Sequence, residues 1–187
     1  MRHGETEWSV SGRHTGRTDV PLTDVGRRLA QRLGPRLAQR AFSLVITSPL
    51  SRASETAAMA GFAGVAEVVD DLSELDYGDY EGLTTAAIRA ERPGWDVWRD
   101  GWPGGESLAD AGVRADRVIA RAVEADGDVA CFAHGHLLRV LGARWLGLPA
   151  EAGAMLGLDT GAVSELGHER ERRVLWLWND ASYTRAP

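Results

Sequence analysis

The sequence contains no lysine: all 21 of its basic residues are arginine. Any anion site must therefore be built from guanidinium and imidazole groups. There is one cysteine, Cys131, so no internal disulfide can form. It lies in the apolar run "VACFA" and reads as a buried, inert thiol. No apolar run approaches the ~20 residues of a membrane span. The start shows no secretory signal pattern, so a cytoplasmic protein with no membrane partner is expected. The net charge of −6 argues against a general nucleic-acid binder. Internal repeats and low-complexity linkers are also absent.

The length of 187 residues and the 44% hydrophobic content fit one folded domain, residues 1–187. Charge is unevenly spread. Residues 1–52 hold nine arginines against four acids, a net of +5; the remainder holds twelve against twenty-three, a net of −11. Strand and helix signals alternate. "SLVITS" (43–48), "VAEVV" (65–69) and "DVACFAHG" (128–135) read as strands, the last fully buried. Residues 22–41 carry Leu22, Val25, Leu29, Leu33 and Leu37 at helical spacing, with Thr23 as N-cap and a kink or break at Gly34-Pro35. A helix after residue 48 should have Ser48 as N-cap, Pro49 in its first turn and Gly61 as its stop. Ser107 should cap a helix over 107–125, and another helix should follow His136. Residues 162–178 read as a hairpin. Between about 70 and 106 the chain is rich in Asp, Glu, Gly, Trp and Tyr with little periodicity, as in irregular segments that cover active sites. The pattern predicts an α/β fold: a three-layer α/β/α sandwich with a mostly parallel central sheet.

Ligands of such sheets bind at the carboxyl ends of the strands. Three segments carry polar groups there: Arg2-His3-Gly4, Arg52 just after "LVITS", and His134-Gly135-His136 after "DVACFA". Brought together, imidazoles, two guanidiniums and helix N-termini form a site for a doubly charged oxyanion, phosphate above all. Singly, each piece has a plainer explanation: a solvated terminal histidine, a surface arginine, or a His-x-His metal pair. Cysteines and carboxylates at ligand spacing are missing, and the neighbouring arginines oppose a cation, so no metal is expected.

The opening "RHGETEW" resembles the signature of the histidine phosphatase superfamily, the phosphoglycerate-mutase-like enzymes. The resemblance extends in order through "GRTDVPLTDVGRRLA", "ITSPLSRASETA", "LSELDYGDYEGL", "GGESL" and "AHGHLLR". It implies an α/β sandwich and a covalent phosphohistidine intermediate, with no metal or organic cofactor. By resemblance, His3 is the nucleophile, Arg2 and Arg52 clamp the phosphate, and His134 is the second phosphate-site histidine. Glu74 is the proton donor, and Thr15 and Gly16 lie in a loop approaching the phosphate. Gly135 joins this set. Ser9 stands where the family commonly has Asn, which alters one phosphate contact. Glu81-Gly82 matches a pair with an expected structural role. The family also places four to six apolar strand residues before Arg-His-Gly, where this sequence shows only Met1. A truncated first strand is the expectation.

Two arginines near His3 should keep its imidazole neutral, and Tyr77, Tyr80 and the tryptophans of 95–102 should bury Glu74 enough to hold its proton. The features of "EWSVSGRHTG", "LDYGDYEGL" and "WDVWRDG" resemble a branch of sugar-phosphate and acid phosphatases. The expected activity is hydrolysis of small phosphorylated metabolites. A phosphoglycerate-mutase-type phosphotransferase is the alternative, disfavoured because 84–107 lacks an adjacent Arg pair. A non-catalytic phospho-ligand sensor is the remaining one. The sequence leaves a homodimer open.

Overall fold

Why the sheet forms where it does is visible in two strands. Strand β1 (Phe42–Thr47) and strand β3 (Asp128–Phe132) pair in parallel, and β2 (Glu67–Val68) adds a short parallel edge on the far side of β1. The computed structural model describes residues 1–184. Alternate residues of each strand face opposite layers. Val45, Ala130 and Phe132 pack with Leu33, Leu37, Ala57 and Ala60. Ile46 and Ala133 pack with Val118, Ile119, Leu137 and Val140. One helical layer is thus α2 (Asp24–Leu37) and α3 (Ser51–Ala57); the other is α6 (Leu108–Glu124) and α7 (Gly135–Trp145). This is the expected three-layer sandwich. The hairpin is also present, as β4 (Val163–Glu169) and β5 (Arg172–Asp180).

The caps explain most boundaries. Thr23 accepts from the Gly26 N–H at 3.0 Å, and Ser107 from Asp110 N–H at 3.1 Å, each satisfying a first-turn donor. Helix α2 continues through Pro35 and ends two residues later rather than breaking at Gly34. Val25, expected in its apolar stripe, is exposed, and Gly26 occupies the buried position instead.

Helix α3 starts later than its sequence suggests. Ser48 is not its cap: Leu50 is, and the first helical residue is Ser51. The Asp19 carboxylate, from another part of the chain, receives both Ser51 N–H (2.9 Å) and its hydroxyl (2.8 Å). Ser48 is buried at the end of β1, where it meets His134. Gly61 does mark the end of this region, with a left-handed φ of 102° inside a π-helical turn over Ala58–Phe62.

Residues 70–106 are more ordered than expected. They hold short 3-10 turns at Asp70–Leu72 and Gly78–Tyr80 and two helices, α4 (Thr85–Glu91) and α5 (Val97–Asp100). Thr84 and Asp96 cap these helices with their side chains. Periodicity could not show them because each spans two turns or fewer.

Residues 1–3 are stitched between β3 and the start of the hairpin. Met1 donates its terminal amine to Cys131 O (2.7 Å), Ala133 N–H to Met1 O (3.0 Å) and His3 N–H to Ala133 O (3.0 Å). On the other side Arg2 N–H reaches Ala162 O (3.1 Å) and Gly161 N–H reaches His3 O (2.8 Å). Behind them a groove of about 610 Å³ runs between β3 and the hairpin, lined by Val129, Cys131, Leu138, Leu141, Leu166 and Trp178 among others. Five backbone hydrogen bonds therefore hold residues 1–3 in place at the strand ends.

Candidate active site

At the carboxyl ends of the strands lies a cavity of about 180 Å³ whose lining includes Arg2, His3, Glu74, Tyr77, Gly135 and His136. His3 is buried. Its Nδ1 lies 2.7 Å from Gly4 O. A carbonyl only accepts, so Nδ1 carries the proton and Nε2 keeps its lone pair. Burial, and then the charges of Arg2 and Arg52, hold its pKa well below the usual 6.5. A neutral imidazole with a defined tautomer results.

His134 adjoins it, with ring centroids 5.2 Å apart. Arg52 Nε donates to His134 Nδ1 at 3.1 Å, so Nε2–H donates to Ser48 Oγ at 2.7 Å. Burial, then Arg52, keeps this imidazole neutral too. Both its nitrogens are engaged within the protein.

Arg52 is fully buried and acts as a hub. Besides His134 it donates to Thr18 O (3.0 Å), Thr15 O (3.1 Å) and Gly16 O (3.0 Å). Four of its five N–H groups are committed, leaving one on Nη1. Its position supports the loop 15–18 more than it opens to the cavity. Arg2 is different. Nη1 donates to Leu158 O at 2.5 Å, but Nε is buried without an acceptor. Gly135 packs over this guanidinium, where a Cβ would stand 3.2 Å from Cζ.

The other expected site residues are mostly occupied with local structure. Ser9 closes a capping box on the short helix α1 (Glu7–Ser11): its hydroxyl accepts from Thr6 N–H (2.9 Å) and donates to Thr6 O (2.8 Å). Thr15 Oγ1 donates to Arg13 O at 3.1 Å. Gly16 N–H is taken by both oxygens of Glu81 at 3.0 Å, and Thr18 N–H by Oε1 at 3.1 Å. Glu81 thus has the structural part expected of it. Gly16 has no room for a side chain: a Cβ would collide with Leu75 O and lie 2.7 Å from Glu81 Oε2. Ser9 and Thr15 line the cavity; Gly16, Arg52 and His134 stand behind it.

Glu74 is 7% exposed. Its immediate surroundings differ from the apolar envelope expected from the aromatic residues. Oε1 accepts from Leu75 N–H and Leu137 N–H, both at 3.0 Å, and Oε2 from His136 N–H at 3.1 Å. The N-terminus of α7 cradles the carboxylate, an arrangement suited to an anion. The tryptophans instead pack on neighbouring rings: Trp95 on His14, Trp98 on His136 and Trp102 on Tyr77.

Of the lining residues, Arg139 and His14 had no role in the sequence reading, and Tyr77 and His136 had a different one. Arg139 lies four residues after Gly135 on α7, hence on the same helix face, a spacing that would have found it. Its guanidinium stacks 4.4 Å over Trp98 and donates to Gly153 O (3.0 Å) and Ala154 O (3.2 Å). His14 gave no signal beyond its place in "GRHTG". Tyr77 was expected only as cover, yet its hydroxyl meets His136 Nδ1 at 2.6 Å. His136 had been paired with His134 as a metal alternative, but the two rings turn to different partners.

A parallel sheet with an uncharged imidazole, an arginine and a cradled carboxylate at its strand ends defines the general class, an enzyme of the α/β sandwich type. Residues 1–181 match the sequence model of the histidine phosphatase superfamily (branch 1), and the chain belongs to that family. It is 44% identical over 179 residues to an acid phosphatase of Mycobacterium tuberculosis, covering 94% of this chain and 88% of that protein. To a sedoheptulose 1,7-bisphosphatase of Saccharomyces cerevisiae it is 38% identical over 181 residues, 79% of this chain and 66% of that one. A solved mycobacterial glucosyl-3-phosphoglycerate phosphatase superposes with a TM-score of 0.86 at 33% identity, over 95% of this chain and 96% of that one. The chain is a phosphoric monoester hydrolase.

Proposed function

We propose that the protein hydrolyses small phosphorylated metabolites, sugar phosphates among them, through a phosphohistidine on His3. The observation that carries this is the fixed tautomer of His3. Nδ1–H is tied to Gly4 O, and the remaining lone pair belongs to a ring that lines the same cavity as Arg2 and Glu74. The names of the three relatives above, an acid phosphatase, a sedoheptulose 1,7-bisphosphatase and a glucosyl-3-phosphoglycerate phosphatase, support the substrate class.

In the first step His3 Nε2 forms a bond to phosphorus as the bond to the leaving oxygen breaks. Arg2, which lines the cavity and whose Nη2 donates to no protein acceptor among the described residues, meets charge on the transferring group. Arg52 and His134 position the surroundings: His134 packs on the His3 ring, and Arg52 fixes both His134 and the loop 15–18. Glu74 in its acid form gives a proton to the leaving alkoxide. Oε2 accepts only one N–H, so a second lone pair is free to carry that proton. In the second step a water oxygen attacks phosphorus, its proton passes to Glu74, and the P–N bond breaks. Alcohol and inorganic phosphate leave, and His3 and Glu74 return to their starting states.

The test is an alkaline quench of the enzyme turning over a labelled phosphomonoester, followed by mapping of the phosphorylated peptide. Label on His3 and loss of all turnover in His3→Ala are expected. Label on another residue, or turnover by His3→Ala, refutes the proposal. Release of inorganic phosphate, rather than transfer to a second alcohol, separates hydrolysis from mutase chemistry.

A further inference from the structure

The wall of the cavity formed by His14, Tyr77, His136 and Arg139 is not used by the steps above. Its hydrogen bonding is nonetheless fixed. Tyr77 is 2% exposed, and burial, then Glu74, raise its pKa well above 10, so it keeps its proton. The only acceptor bonded to that hydroxyl among the described residues is His136 Nδ1, at 2.6 Å. His136 is neutral, its pKa held well below 6.5 by burial, then by Arg139, His14 and Arg2. A neutral imidazole has one N–H. If Nδ1 carried it, the buried Tyr77 proton would have no acceptor, at a cost comparable to a lost hydrogen bond. Tyr77 therefore donates, and the imidazole proton sits on Nε2. Among the described residues nothing is bonded to that N–H, and it is not sealed in the interior. Trp98 packs on the same ring, 5.1 Å between centroids, and the His136 backbone N–H holds Glu74. The ring is thus locked in angle and tautomer, adjoins the proposed proton donor, and lines the cavity.

We propose that His136 Nε2–H is a specificity-determining donor: it hydrogen-bonds an oxygen of the leaving group close to the ester oxygen, so the enzyme favours phosphate esters of polyhydroxylated alcohols over those of bare alkyl alcohols. This rests on the phosphatase reading of the site. Arg139, packed on the same Trp98, adds a fixed positive charge beside the donor, which favours an oxygen acceptor there. Tyr77 acts through His136 and is a positioning residue.

Glycerol 3-phosphate and propyl phosphate form a matched pair that differ in two hydroxyls and have similarly poor leaving groups. The readout is the ratio of kcat/KM for the first over the second. His136→Ala should lower this ratio about tenfold, the scale of one neutral hydrogen bond. His136→Gln, which returns an N–H at similar reach, should restore it to within about threefold. Tyr77→Phe frees the tautomer and should lower the ratio by a smaller factor, about two to five. A ratio near one in the wild type, or a ratio unmoved by both His136→Ala and Tyr77→Phe whatever the absolute rates, overturns the inference. Phosphorylation of His3 during wild-type turnover tells the two claims apart. If it is present without discrimination, only the role of His136 fails; if His3 is never labelled, the reading of the site fails and this inference with it.

Discussion

Acidification from pH 7.5 to 5.5 should destabilise this protein by several kcal/mol through its buried imidazoles. His3 and His134 are buried and neutral, their pKa values held well below 6.5 first by burial and next by arginine. In the unfolded chain each imidazole titrates near 6.5. The unfolded state then binds a proton that the folded state refuses, so stability is fully present above pH 6.5 and is lost as pH falls. Over a window one unit either side of 6.5 the loss is about 1.4 kcal/mol per imidazole. Two give about 3 kcal/mol. His136 has the same sign but opens to the cavity, and brings the total to about 3–4 kcal/mol. Asp71, Asp100 and Asp180 do not interfere: their folded values are lowered, Asp100 to about 2 by Arg99, and unfolded carboxylates titrate near 4. Against a total stability of about 5–15 kcal/mol this is a large fraction, and it corresponds to a fall in Tm of roughly 10 °C for a chain of this size. Urea unfolding at the two pH values measures it. His134→Asn should flatten the pH dependence by about 1.4 kcal/mol while lowering stability at neutral pH. Equal or greater stability at pH 5.5 would show that the imidazoles accept protons in the folded state, and the account of a neutral His3 would fail.

Two further substitutions test the site. Glu74→Gln should slow hydrolysis of propyl phosphate about a hundredfold or more but that of nitrophenyl phosphate far less, since a good leaving group needs little protonation; equal losses would assign Glu74 to positioning alone. Gly16→Ala should destabilise by about 1–3 kcal/mol, because its Cβ meets Leu75 O and Glu81, and kcat should fall with it as the loop bonded to Arg52 shifts. Unchanged denaturation and kcat would mean that the loop yields without disturbing Arg52.

How far this was legible in the sequence depends on the range of the interactions concerned. Strands β1 and β3 and helices α2, α6 and α7 carry apolar runs or caps within a few residues, so they could be read directly. The convergence of Arg2, His3, Arg52 and His134 followed because strand ends of one parallel sheet share an edge. What Arg52 does there could not be read. Its partners Thr15, Gly16 and Thr18 are 34 to 37 residues away and offer only backbone carbonyls, which every residue possesses. The same holds for Glu74, whose cradle is made of main-chain N–H groups. Ser48 followed local capping rules in the sequence, but Asp19 caps α3 from a distance and leaves Ser48 to His134. Short helices in 84–100 escaped because two turns show no periodicity.

The absence of lysine makes this chain unusual toward chemical labelling. No side chain carries an ammonium, and the nitrogen of Met1 is bonded to Cys131 O inside the fold. Acylating agents, aldehyde fixatives and amine-coupled surfaces therefore find no side-chain amine to react with, and the positive charge of the site rests on guanidinium groups that such reagents are not designed to reach.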